Sequence, residues 1–76
     1  MKSVADMKRY ARARHEDLLR CLKVAEQTRQ TPMLRKMIEE ARAKRDWALR
    51  RIAYDDPTFA IPKGDDAIGQ ILGVTQ

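Results

Sequence analysis

Apolar residues in the first third of the chain recur at spacings of three, four and seven positions. They form the series Val4, Met7, Ala11, Leu18, Leu22 and Ala25. At about 100° per residue this series lies on one side of an α-helix, while the other sides are charged. Ser3 with Asp6 resembles a capping box, and neither Gly nor Pro interrupts the chain before Arg29. The pattern predicts a long first helix over residues 4–29.

A second amphipathic stretch begins after a short polar connection. Its apolar series is Leu34, Met37, Ile38, Ala41, Ala48, Leu49 and Ile52. Thr31 followed by Pro32 is typical of an N-cap and a first helical turn, and the two acids before Pro57 are typical of a helix end. We therefore predict a second helix over residues 32–54. Because the connection is short, the two helices should be antiparallel neighbours.

The last third of the chain has a different pattern. "TFAIP" is rich in residues that favour extended structure, and "GDDAIGQILGV" offers Asp65 as a cap, an apolar edge and Gly73 as a stop. The sequence thus predicts an all-α fold: an antiparallel two-helix hairpin, an extended C-terminal tail and a short terminal helix over residues 66–72. We expect a basic hairpin in residues 1–54 and an acidic, apolar docking tail in residues 55–76.

Two nearly identical segments, "ARARHE" (11–16) and "ARAKRD" (41–46), lie thirty positions apart. If the turn is centred near residue 30, antiparallel packing brings His15 opposite Arg45 in the seam between the helices. The favoured interpretation is structural: a neutral imidazole accepts a hydrogen bond from the guanidinium, or Arg45 extends to Asp17, Glu16 or solvent. The alternative is that His15 and Arg45 together receive a carboxylate or phosphate from a second chain.

Aromatic and sulfur-containing residues form a second row outside the predicted seam. Together they predict a side groove lined by Tyr10, Cys21, Met33, Trp47 and Tyr54. An exposed apolar patch of this kind usually marks an interface. The groove could be covered by a second copy of the chain, by a different protein, or by the chain's own tail. The tail would contribute Phe59, Ile61, Ile68, Ile71 and Leu72.

Charge divides the chain in the same place as the hydrophobic pattern. The net charge is +5, with 16 Lys and Arg against 11 Asp and Glu. Residues 1–54 hold 15 basic against 7 acidic residues (+8), and residues 55–76 hold 1 against 4 (−3). "KRYARAR" resembles an arginine-rich helix that neutralises phosphates. Candidate nucleic-acid contacts are Lys8, Arg9, Arg12, Arg20 and Lys23. Interleaved acids favour the alternative, a salt-bridged surface or docking to an acidic protein.

The composition argues against several classes of function. A single Cys21 and a single His15 allow neither an intrachain disulfide nor a structural zinc site. No acid, base and nucleophile converge in the pattern, so we expect no enzyme activity, cofactor or small-molecule substrate. No signal peptide or membrane span is indicated, which favours a cytoplasmic location, with a virion as one alternative.

A chain of 76 residues buries little surface, so its fold should be marginal unless a homo-oligomer or larger protein assembly completes it. The leading hypothesis is a small non-enzymatic structural or adaptor protein acting by protein–protein interaction within such an assembly, for which a viral or phage particle is one setting. The alternative is a basic helical hairpin that binds nucleic acid. A third hypothesis is a small inhibitor or regulator that binds a target protein through its tail.

Overall fold

The computed structural model of the chain describes residues 3–74 and is all-helical over that range. Helix α1 spans Val4–Gln27, α2 spans Pro32–Asp55 and α3 spans Asp65–Leu72, and residues 3–74 contain no strand. The two long helices pack together, and α3 packs against α1. The prediction of an all-α fold with two long helices and a short terminal one is confirmed. The outermost residues of the two predicted regions, 1–2 and 75–76, lie outside the described range.

Local sequence signals set both ends of α1. The Ser3 hydroxyl accepts a hydrogen bond from the Asp6 amide, and the Asp6 carboxylate accepts one from the Ser3 amide, which completes the predicted capping box. The helix ends two residues earlier than predicted, because Thr28 adopts an extended conformation. Its amide and its hydroxyl both donate to the Val24 carbonyl, 3.0 and 2.9 Å away.

Helix α2 begins and ends as its sequence indicates. Thr31 is the N-cap, with its hydroxyl accepting from the Leu34 amide at 3.1 Å, and Pro32 opens the first turn. Asp56 is the C-cap, one residue before Pro57. The Asp56 carboxylate then accepts hydrogen bonds from the Thr58 amide and hydroxyl, at 3.1 and 2.6 Å. The segment predicted as extended therefore starts with a turn.

Glycines bound α3 on both sides. Gly64 is the N-cap with φ 93°, and Gly73 ends the helix in the left-handed region with φ 74°. The prediction that Gly73 is a stop is confirmed, and the Val74 amide donates to the Gly69 carbonyl at 2.9 Å. The prediction that Asp65 caps the helix is wrong, because Asp65 is the first helical residue and makes no cap hydrogen bond.

The core is divided into two apolar clusters along the helix pair. The larger cluster takes residues from all three helices: Met7, Ala11, Ala48, Leu49, Ile52, Ile68 and Leu72. The smaller cluster, nearer the connection, consists of Leu18, Ile38 and Ala41. Partly buried Cys21, Leu22, Ala25 and Leu34 pack against the smaller cluster. Only the larger cluster is covered by α3.

Candidate functional site: a buried polar layer and an open groove

A polar layer lies between the two apolar clusters. His15 and Arg45 are each only 2% exposed, and an Arg45 Nη1 lies 3.2 Å from His15 Nδ1. Because a guanidinium can only donate, Nδ1 accepts and the ring proton sits on Nε2. The structure thus brings together the two residues that the sequence pattern places opposite each other.

A third member of the layer, Asp65, comes from α3. Its Oδ1 accepts from Arg45 Nη1 at 2.7 Å, and its Oδ2 accepts from Arg42 Nη2 at 3.0 Å. Arg45 is completed by Asp46, whose Oδ1 accepts from Nε at 3.0 Å and from Nη2 at 2.8 Å. The guanidinium is therefore held by two carboxylates and the imidazole. It does not extend to Asp17, Glu16 or solvent, so that part of the prediction is wrong. We define His15, Arg45 and Asp65 as the polar layer.

The electrostatics of the layer follow from burial and from these pairs. Burial, reinforced by the charge of Arg45, lowers the pKa of His15, while Asp65, Asp66 and Glu16 oppose the shift. Burial also acts to raise the pKa of Asp65. The hydrogen bonds from Arg45 and Arg42 outweigh that effect, so the pKa of Asp65 is lowered. At neutral pH the layer holds a neutral imidazole, one guanidinium and one carboxylate.

Gly69 allows α3 to approach the imidazole closely. A Cβ on Gly69 would lie 2.9 Å from His15 Nε2 and 3.3 Å from the Val74 carbonyl oxygen. The first distance is too short for a real contact and the second is tight, so a side chain here would displace either His15 or α3 and would crowd the segment after α3. The role of Gly69 was missed from sequence, where a glycine inside a helix pattern only weakens the predicted helix.

The predicted tail residues divide into a buried and an exposed set. Ile68 and Leu72 are 4% and 9% exposed in the larger cluster, and Phe59 packs against that cluster with Lys8 Nζ 5.9 Å from its ring centroid. Ile61 and Ile71 are 41% and 49% exposed. In this structure the tail contacts its own chain and covers the seam, not the predicted side groove.

The predicted side groove does not form as one surface. Tyr10 and Trp47 meet edge to face, with ring centroids 6.2 Å apart. Met33 and Tyr54 are 73% and 80% exposed, and the Tyr54 ring contacts Arg51. Met33 and Tyr54 are three heptads apart on α2, which is about six helical turns or roughly 31 Å, too far for both to line one groove. Cys21 belongs to a different groove.

That groove lies over the smaller cluster and has a volume of about 550 Å³. Its floor is formed by Cys21, Val24, Leu34, Met37 and Ala41. Val24 and Met37 are 47% and 50% exposed. Its rim carries the charged residues Arg14, Arg20, Lys44, Asp17 and Glu40. We call this surface the apolar groove. The sequence does not predict this groove, because its pattern assigns Met37 to the buried apolar series of the second helix and Val24 to neither series, whereas the structure leaves both about half exposed.

The candidate nucleic-acid contacts lie on exposed parts of α1, and acids engage several of them. Arg9 pairs with Asp6, Arg20 pairs with Asp17, and Arg12 Nε lies 3.8 Å from Glu16. Lys8 lies over the Phe59 ring. Lys23 is exposed. This arrangement has the salt-bridged character that the interleaved acids indicate.

Within residues 3–74, no group of three or more His, Cys, Asp or Glu side chains is placed to bind a metal ion. Over the same residues, none of the helices combines the length and the hydropathy needed to cross a membrane.

Comparisons with models of protein families, with curated proteins and with solved structures give no match for this chain.

Proposed function

We propose that this chain is a small non-enzymatic structural or adaptor subunit that works by protein–protein interaction within a larger assembly. The supporting observation is the apolar groove, where Val24 and Met37 stay about half exposed over the smaller core cluster, to which α3 contributes no residue. Exposed apolar patches beside a packed core are typical of interaction sites. The setting we propose is the cytoplasm, with a virus particle as the alternative.

The proposal includes an antiparallel hairpin as the scaffold of the subunit. Its support is the four-residue connection between α1 and α2, together with the contact between His15 and Arg45 across the seam. Both features match a pairing of residue i with about residue 60 − i. We also propose that the assembly supplies stability, since so short a chain buries little surface on folding.

Sedimentation velocity and thermal circular dichroism of the purified full chain test this proposal. We expect either concentration-dependent self-association or a broad unfolding transition at low temperature. A compact monomer that unfolds sharply at high temperature would count strongly against a subunit that depends on an assembly.

The second candidate function is nucleic-acid binding, which the net charge of +8 over residues 1–54 favours. Such binding would weaken steeply with salt because counterions are released from the phosphates. A triple Ala substitution of Arg9, Arg12 and Arg20 should then lower the affinity at low salt. Absence of binding to duplex DNA and to RNA at about 50 mM salt would end this alternative.

The third hypothesis, a tail-borne inhibitor, would require a rearrangement. Ile68 and Leu72 are buried against the helix pair, so a target protein would have to displace α3 before it could bind them. The hypothesis also requires that deleting residues 57–76 abolishes target binding while α1 and α2 stay helical, whereas the burial of Ile68 and Leu72 in the larger cluster indicates that the deletion destabilises both helices.

A further inference from the structure

The apolar groove and α3 occupy opposite sides of the helix pair. On α1, Arg12 and His15 lie beside α3, while Cys21 and Val24 line the groove. At about 100° per residue these two pairs point in opposite directions from the helix axis. One side of the seam is therefore covered by a helix, and the other side is open.

The covered side shows which kind of helix this pair binds. Helix α3 begins with two acids, Asp65 and Asp66, and buries Ile68 and Leu72. Asp65 pairs with Arg42 and Arg45 of α2 at the edge of the contact. Helix α3 is thus a short amphipathic helix that packs its apolar side on the larger cluster and pairs its first acidic residue with arginines at the edge of that contact.

The open side offers the same combination of features. Its floor is apolar, and its rim has three cations against two carboxylates, a net +1. Asp17 is already paired with both Arg14 and Arg20. Arg14 Nε is buried without a hydrogen-bond acceptor among the described residues, although the guanidinium also lies 5.5 Å from the Tyr10 ring centroid. The Arg14 side chain as a whole is 33% exposed, so an incoming carboxylate would meet the accessible part of its guanidinium and not the buried Nε.

A second copy of the chain fits this surface less well. Each copy carries +5 overall and +8 over residues 1–54. A contact that joins two such grooves brings like-charged surfaces together, which lowers both the affinity and the rate of association. The same positive charge attracts an acidic partner and so raises both the affinity and the rate of association.

We propose that the apolar groove binds an acidic amphipathic helix of another protein, which packs apolar side chains on Val24 and Met37 and places carboxylates near Arg14, Arg20 and Lys44. The groove runs from Arg14 to Val24 on α1, and at 1.5 Å per residue this length accommodates about three helical turns. This inference rests on the proposed function and specifies the chemistry of the partner.

The test uses the full chain and two synthetic peptides of about 18 residues, long enough to form helix. Both peptides carry Leu at i, i+3, i+4 and i+7, with Glu at the flanking positions of one and Lys at those of the other. Fluorescence anisotropy measures binding, and circular dichroism checks that each variant is folded. We expect saturable binding of the Glu peptide, weakening with salt, and at least about tenfold weaker binding of the Lys peptide.

Two pairs of variants locate the contact. Met37→Ser should weaken binding of the Glu peptide at least about tenfold, while Ile71→Ser, which alters an equally exposed side chain on α3, should leave it unchanged. Lys44→Glu should weaken the Glu peptide and strengthen the Lys peptide. Lys63→Glu makes the same charge change outside the groove and should leave the binding of both peptides unchanged. The charge variants keep the test decisive if Met37→Ser does not fold.

Several results would overturn the inference: equal binding of both peptides, no saturable binding, or the same loss in Met37→Ser and Ile71→Ser. A dimer that Met37→Ser abolishes and Ile71→Ser retains would assign the groove to a second copy. In that case the acidic-helix inference fails while the proposed function stands. A stable monomer that binds neither peptide but binds nucleic acid at low salt would contradict both the acidic-helix inference and the proposed function.

Discussion

At the scale of single residues, the unusual feature is a histidine used as a neutral acceptor inside a small core. His15 is 2% exposed and has an arginine on one ring nitrogen and the backbone of α3 near the other. Protonation would remove the acceptor at Nδ1 and place a second cation beside the buried guanidinium of Arg45. The imidazole therefore couples the protonation state of one side chain to the docking of a helix.

We predict that the free energy of unfolding falls as the pH drops below 6.5. Because burial lowers the pKa of His15 in the folded state, the unfolded chain binds the proton more readily in this range, and acid shifts the equilibrium toward unfolding. The stability that neutral His15 contributes is fully present above its ordinary pKa of 6.5. It is lost progressively as the pH falls from 6.5 to the lowered pKa of His15 in the folded state. For one proton, the slope cannot exceed about 1.4 kcal/mol per pH unit.

Urea unfolding followed by circular dichroism between pH 5 and pH 7.5 measures this effect. His15 is the single histidine of the chain, so few other groups titrate in that window. His15→Asn keeps an acceptor and does not titrate, and its stability should be nearly constant over the same range. A wild-type profile as flat as that of the variant would contradict the prediction.

At the scale of secondary-structure elements, Asp65 attaches the first turn of α3 to α2. Its two carboxylate oxygens accept from two different arginines, and the side chain of Arg45 is only 3% exposed. Removing one partner of a buried charge is costly because the other charge remains desolvated. The neighbouring acid Asp66 is exposed, so the same helix turn supplies a matched control.

We predict that Asp65→Asn destabilises the fold by roughly 1–3 kcal/mol and Asp66→Asn by less than about 0.5 kcal/mol. Both changes remove one negative charge from the first turn of α3, so their effects on the helix dipole and on net charge are similar. The difference between them isolates the pairing with Arg42 and Arg45. Urea unfolding of the two variants at pH 7 measures it, and equal losses would show that Asp65 acts only as a first-turn acid.

The sequence predicts the helices well because their signals are local. Thr31 with Pro32 starts α2, Asp56 before Pro57 ends it, and Gly73 ends α3, each by chemistry within a few residues. The pairing of His15 with Arg45 can also be predicted from the sequence, since a short connection fixes which positions of two antiparallel helices face each other.

The part that the sequence did not predict depends on contacts between distant segments. Asp65 lies 20 and 23 residues from its arginine partners, and an acid at the start of a helix is equally consistent with a cap. The apolar spacing within α3 indicates which of its own residues are buried, but it does not indicate on which side of the helix pair α3 packs. The apolar groove exists only because α3 takes the other side.

At the scale of the whole molecule, α3 is part of the fold because it closes the larger of two core clusters. Ile68 and Leu72 belong to the same cluster as residues of both long helices, and in that cluster Ala11, Leu49 and Ile52 are fully buried. A division into a self-sufficient hairpin and a separable tail would leave this cluster open to water. We therefore expect the described part of the chain to unfold as one unit.

The whole-molecule prediction compares two isoleucines of α3. Ile68→Ala removes a side chain that is 4% exposed, and Ile71→Ala one that is 49% exposed. Ile68→Ala should cost about 2–4 kcal/mol and lower the melting temperature by at least about 10 °C, while Ile71→Ala should cost well under half as much. Circular dichroism reports all helices and Trp47 fluorescence reports α2. For Ile68→Ala the two signals should shift together, because loss of α3 exposes the core that α2 shares.

The contradicting result is that Ile68→Ala loses only a small part of the helical signal while the melting temperature reported by Trp47 fluorescence equals that of the wild type. In that case the helix pair is stable without α3 and the chain has two units.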